Sequence, residues 1–192
     1  MNFDLRKAGR RDTYKVVRLL TLFFCTFLLQ VAIAQKISFP SAESEAKSPN
    51  GRYLIRNLDD EKQEPAHNLR LIDTTNGLAT KIYSYGRHVD ILWSPASHAF
   101  VVNDYEASDA SHPVLFVEPW TAPVDLRQKL VDFLSAQHEG GFLENDHVYI
   151  SVEKWINAGE ILCKATGYGE VNAKGFSKHY IYKIGTGFLP TR

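Results

Sequence analysis

The chain has 192 residues with 22 basic and 22 acidic side chains, so its formal net charge at pH 7 is zero. Six of the basic and two of the acidic side chains fall in the first 34 residues, leaving 16 basic against 20 acidic over residues 35–192, a net of −4. A mildly acidic body without a basic run lacks the electrostatic footprint of a nucleic-acid or anionic-lipid binder, so neither partner is expected.

Residues 1–34 read as a signal peptide. Arg6, Lys7, Arg10, Arg11, Lys15 and Arg18 form a basic leader, followed by the uncharged apolar run 19–34. Ala32-Ile33-Ala34 then supplies a small-x-small cleavage site before Gln35. The run is shorter than the roughly 20 residues of a spanning helix and contains Gln30, which favours cleavage over a retained anchor. Residues 35–192 then form a single periplasmic or secreted domain, long enough to bury its own core. Cys163 is the one cysteine in that part, so no internal disulfide is available.

In chain order, Lys36-Ile37-Ser38-Phe39 is a short strand, and 41–47 reads as a small polar loop. Ser48-Pro49-Asn50-Gly51 has Pro and Gly at the second and fourth positions of a type I turn, leading into a strand over 53–57. The charged stretch 59–65 reads as a surface loop. A strand over 69–72 follows, closed by Asp73-Thr74-Thr75-Asn76-Gly77, whose Asn-Gly pair suits a tight turn with positive φ. Strands over 79–85 and 89–93 come next, separated by Gly86-Arg87, with Val89, Ile91 and Trp93 on one face. The runs 100–102 and 114–117 are apolar on both faces, as in strands held between two packed sheets. The period then changes. Thr121 caps a helix with Pro123 in its first turn, and Leu126, Leu130, Phe133, Leu134 and Gln137 recur at helical spacing. This predicts one helix near 122–137, stopped by Gly140-Gly141. Strands return at 148–152, 161–165 and 180–184, with Asn157-Ala158-Gly159 turning the first into the second.

Two of these stretches repeat. Residues 48–57 align with 94–103 at a spacing of 46, and 67–73 with 112–118 at a spacing of 45, a period typical of a repeated β unit. The segment Ile91-Leu92-Trp93-Ser94-Pro95 followed by Phe100-Val101-Val102-Asn103 resembles the TolB-type β-propeller repeat. Ser48-Pro49-Asn50-Gly51-Arg52-Tyr53 and the closing Leu71-Ile72-Asp73 through Gly77 belong to the same likeness, which covers about residues 37–118. It implies blade-like antiparallel sheets in which a Trp-Ser-Pro turn joins the first two strands. Ala96-Ser97 departs from the family's Asp-Gly at that turn. At roughly 40–45 residues per blade and at least four blades per ring, residues 35–192 supply about three units and one inserted helix. The expected fold is therefore mainly β, with propeller-like repeats that do not close a ring within one chain and a helix covering an open edge. Self-association is the route by which a ring would close.

The most polar stretch is 103–112, between two buried-type strands. Asp104, Glu106 and Asp109 would offer a hard cation such as Ca²⁺ several oxygens, and they are the candidate binding residues. Their spacing matches no EF-hand, and the plainer reading is an interstrand loop whose side chains bond to backbone. Cys163, in a strand-like run, reads as a small buried hydrophobe rather than a nucleophile. His67 and His112 occupy equivalent places in the two repeats, which marks a structural role. No His-Glu-x-x-His, Gly-x-Ser-x-Gly or Gly-Lys-Ser/Thr occurs, so no catalytic residue and no resident cofactor is expected. The sequence therefore reads as a periplasmic or secreted binding module whose partner is another envelope or extracellular protein. The rival readings are a hydrolase with a dispersed site built on loop carboxylates, and a Ca²⁺-stabilised structural subunit.

Overall fold

The computed structural model describes residues 36–190, apart from 43, 60–61, 63–64, 107–110 and 140–145; the signal peptide read at 1–34 lies outside them. Three antiparallel sheets account for nearly every element. The first runs β2 (Glu45–Lys47), β3 (Tyr53–Asp59), β4 (His67–Asp73) and β5 (Ala79–Tyr85) in simple meander order. The second repeats that order with β6 (Val89–Trp93), β7 (Ala99–Asp104), β8 (His112–Val117) and β9 (Val124–Asp125), and β1 (Lys36–Phe39) adds itself beside β6. A helix, α1 (Leu126–Ala136), leads into the third meander, β10 (Asp146–Trp155), β11 (Glu160–Gly169), β12 (Phe176–Lys183) and β13 (Gly187–Phe188). The chain is mainly β with propeller-like, blade-shaped units, as the repeat requires.

The burial pattern fixes the layering. Every residue of β6 and β7 is buried, whereas β11 alternates buried and half-buried positions along its first eight residues. The second sheet is thus the middle layer, and the outer sheets bury one face each. One core joins the first and second sheets through Tyr53, Ile55, Leu69, Tyr85, Ile91, Trp93, Phe100 and Phe116. The other joins the second sheet to the third and to α1 through Leu92, Val101, Leu126, Leu130, Leu134, Ile150, Val152 and Ile161. No core cluster of the described residues joins the first sheet to the third.

The repeated segments occupy matching places, since 53–57 and 99–103 each open the second strand of a meander after a Ser-Pro turn. In the first turn Gly51 at φ 73° donates to the Ser48 carbonyl at 2.8 Å. In the second, Ser97 takes that place at φ 65°, and its N–H donates to the Ser94 carbonyl at 2.9 Å. A left-handed serine is costlier than glycine. Here its hydroxyl accepts the Asn50 N–H at 3.0 Å, tying the two turns together.

Indole donors link successive units in the same way. Trp93, last in β6, donates Nε1–H to the Ala46 carbonyl of β2 at 3.2 Å. Trp155, last in β10, donates Nε1–H to the Leu92 carbonyl of β6 at 3.1 Å. Each tryptophan therefore reaches back from the first strand of its own sheet to the first strand of the preceding one. The third sheet thus repeats toward the second the bond that the second makes toward the first.

Several expected boundaries move. Glu45–Lys47, read as loop, is the first strand of the first sheet; it is a short edge in which only Ala46 is fully buried, so its pattern resembles a polar linker. The helix starts at Leu126 rather than 122, and its cap is Asp125, whose carboxylate accepts the Gln128 N–H at 2.9 Å, rather than Thr121. The helix ends at Ala136, and the Gly140-Gly141 stop lies outside the described residues. The short closing strand β13 had no sequence signal. β1 is clasped by Asp90, which accepts Ser38 Oγ–H at 2.6 Å, Lys36 Nζ at 2.9 Å and the Tyr105 hydroxyl at 3.0 Å. Burial alone would raise the Asp90 pKa, but these three bonds outweigh it and hold the carboxyl below its ordinary range.

Candidate functional site

The ends of the polar stretch 103–112 turn inward. Asn103 and Ser111 are buried between the second and third sheets. Asn103 accepts the Val152 N–H and donates to the Val152 carbonyl, both at 2.8 Å. Ser111 Oγ accepts the Ile150 N–H at 2.8 Å and donates to the Ile150 carbonyl at 2.7 Å. Arg127 Nη1 reaches the Val148 carbonyl at 3.0 Å. Alternate residues of β10 point their backbone groups away from β11, so these three side chains, together with a parallel backbone bridge between Ser111 and Tyr149, close the edge of that strand.

Asp104 faces the other way, into the boundary between the first and second sheets, where the Tyr83 hydroxyl donates to its Oδ2 at 2.9 Å. Its Oδ1 is buried without a hydrogen-bond partner. Burial raises the Asp104 pKa; the Tyr83 bond works against this, and nearby Glu106 adds to it. Glu106 is exposed, and Asp109 lies outside the described residues. The structure therefore separates Asp104 from Glu106 by burial. Among the described residues, no three His, Cys, Asp or Glu side chains converge as metal ligands.

A carboxylate whose folded pKa is raised stabilises the fold through its proton below the unfolded value near 3.9, and loses that contribution as pH rises through the folded value. Asp104→Asn, which keeps the shape and the acceptor for Tyr83 but removes the buried charge, is accordingly expected to stabilise the protein at pH 7. Thermal melts across pH should show the gain shrinking to nothing below about pH 4.

The equivalent histidines hold equivalent register positions, His67 opposite Asp59 and His112 opposite Asp104. Only the first pair closes, with His67 Nδ1 2.7 Å from Asp59 Oδ1. Cys163 is fully buried, and burial pushes its thiol up to about 12, which removes thiolate chemistry at neutral pH.

Two concavities escaped the sequence reading. The larger, about 650 Å³, lies at the β11–β12 hairpin and is lined by Tyr149, Thr166, Tyr168, Lys174, Phe176 and Ser177 among others. Its floor depends on Gly167, where a Cβ would collide with the His147 carbonyl and come within 2.8 Å of the Phe176 ring. Only glycine lets Phe176 close over the strand. Beside the groove, the outer face of the third sheet carries Leu162 opposite Ile181, and Glu153 paired with Lys164 at 3.6 Å and His179 at 3.1 Å. The smaller concavity, about 180 Å³, lies at the opposite rim between the ends of β4 and β8, lined by Tyr53, Leu71, Asp73, Leu78, Glu118 and Trp120 among others.

No protein-family model matches the chain, and no curated protein matches it in sequence. Among solved structures it is similar to the β-propeller domain of the Trilobed protease from Pyrococcus furiosus, described as having an open velcro topology. The two share 12% identity with a TM-score of 0.49, over 77% of this chain and 42% of that one.

Proposed function

We propose that residues 35–192 are a periplasmic or secreted interaction module, built on TolB-type repeats, that docks another protein on the outer face of its third sheet. The supporting observation is where exposed apolar side chains gather. Of the six large hydrophobic residues exposed among the described residues, Tyr168 and Val171 flank the groove at the β11–β12 hairpin, at 55% and 57% exposure, and Ile181 lies farther along the same sheet opposite Leu162. Scattered apolar residues on a surface need no explanation, whereas grouped ones beside an aromatic-lined groove mark an interaction site. Aromatic side chains on a pre-formed sheet also lose little conformational freedom on binding. The outer face of the first sheet is more polar: there Arg56 is held by Glu45 at 2.7 Å and Ser84 bonds Asn68 at 2.9 Å, with Leu58 the apolar side chain exposed beside them.

A photo-crosslinking residue placed at Tyr168 should capture an envelope protein that the same residue at Arg70, on the first sheet, does not. The double variant Tyr168→Ser, Ile181→Lys should bind the captured protein at least about tenfold more weakly, a loss of roughly 1.4 kcal/mol, with an unchanged melting temperature. Equal capture from both positions, or undiminished binding by the double variant, would defeat this reading.

A further inference from the structure

We infer that the pocket between Tyr53 and Trp120 receives the side chain of a lysine or arginine presented by a partner polypeptide. The pocket lies at the opposite rim from the third-sheet groove, so this inference stands apart from the docking face proposed above. Its lining includes the apolar Leu71 and Leu78 and the aromatic Tyr53 and Trp120, with Leu78 65% exposed. Two carboxylates, Asp73 and Glu118, are also among its lining residues. At about 180 Å³ it falls below the roughly 300–1,000 Å³ of pockets that take a whole small molecule, and it suits a single long side chain.

The chain's own Arg52 displays the kind of cation this frame holds. Its guanidinium carbon stands 4.8 Å from the Tyr53 ring centroid, with Nη2 3.2 Å from Asp73 and Nη1 3.8 Å from Glu118. Two carboxylates thus share one guanidinium, which itself covers the Tyr53 ring, and this leaves a local net charge of −1 beside the Trp120 ring, with Thr75 also donating to Asp73 Oδ1 at 2.6 and 2.9 Å. An acidic side chain would be repelled by that charge, and a neutral one would cover it uncompensated.

The walls are already in place. Trp120 sits at φ 71°, its N–H donates to the Val117 carbonyl at 2.7 Å, and its ring stands edge-on to Tyr53 at 5.1 Å and to Trp93 at 6.1 Å. The Tyr53 hydroxyl donates to Glu118 Oε1 at 2.6 Å, which orients the carboxylate. A pre-ordered wall spares the ligand the cost of organising it.

The test is a nuclear magnetic resonance titration of the labelled protein with N-acetyl-Gly-X-Gly-amide peptides, X being Lys, Arg, Leu or Glu. Lysine and arginine peptides should shift the Trp120 indole N–H and Leu78 methyl resonances saturably, while leucine and glutamate peptides at equal concentration should not. Glu118→Gln should weaken binding roughly tenfold, the worth of one charge-assisted contact. Leu78→Lys, a like charge at an exposed position, should abolish saturation as read at Trp120. Tyr168→Ser, at the other rim, should leave the affinity unchanged. Equal response to the leucine peptide, no response to any peptide, or full affinity in the Glu118→Gln and Leu78→Lys variants would overturn the inference.

Discussion

Asn103→Leu is expected to destabilise the protein by about 3 kcal/mol, although it replaces a polar side chain with an apolar one of similar length in a buried site. The reason is what the amide does. It accepts the Val152 N–H and donates to the Val152 carbonyl at 2.8 Å each, standing in for a neighbouring strand. Leucine would leave both backbone groups buried and unpaired, at about 1–3 kcal/mol for each. Urea denaturation should show a lower midpoint with an unchanged slope, the signature of lost stability without a change in the surface exposed on unfolding. A change within about 0.5 kcal/mol, typical of a surface substitution, would mean that Asn103 belongs to a solvated loop after all.

Trp93→Ala should cost more, about 4 kcal/mol. Trp93 is fully buried, stacks with Tyr53 at 6.3 Å and tilts against Phe100 at 4.8 Å, so its removal opens a cavity in the core between the first and second sheets. It also strips the Ala46 carbonyl of its indole donor. At roughly 2–4 °C per kcal/mol for a domain of this size, the melting temperature should fall by about 12 °C. Trp93→Phe isolates part of the effect, because most of the volume returns while the Ala46 carbonyl stays unpaired. Its expected loss is about 2 kcal/mol.

The legible part of the fold was whatever the repeat and the apolar runs recorded. The spacing between 48–57 and 94–103 placed the first two sheets, and the runs 100–102 and 114–117 correctly read as strands covered on both faces, since they belong to the middle layer. Glu45–Lys47 was missed because an edge strand with one buried residue has no alternation to detect. The helix cap was misplaced because Thr121-Ala122-Pro123 fits the start of a helix, while Asp125, three residues before Gln128, fits it equally well and is the one that caps. For the stretch 103–112 the sequence offers a cation-binding loop and, as the plainer reading, an interstrand loop whose side chains bond to backbone, and Asn103 and Ser111 do bond to backbone. The strand β7 in fact continues to Asp104, so the period-two alternation aims Asn103 at the third sheet and Asp104 at the first. Neither concavity had a sequence signal, since Tyr53, Asp73 and Glu118 meet only when the ends of β3, β4 and β8 are brought to one rim.

Native-state hydrogen exchange tests most directly the idea that side chains of the second sheet close the edge of β10. The Ile150 and Val152 amides point away from β11, yet Ser111 and Asn103 bind them, so they should exchange as slowly as the amides of β6 and β7. Exchange of Ile150 and Val152 at the rate of exposed loop amides would contradict it.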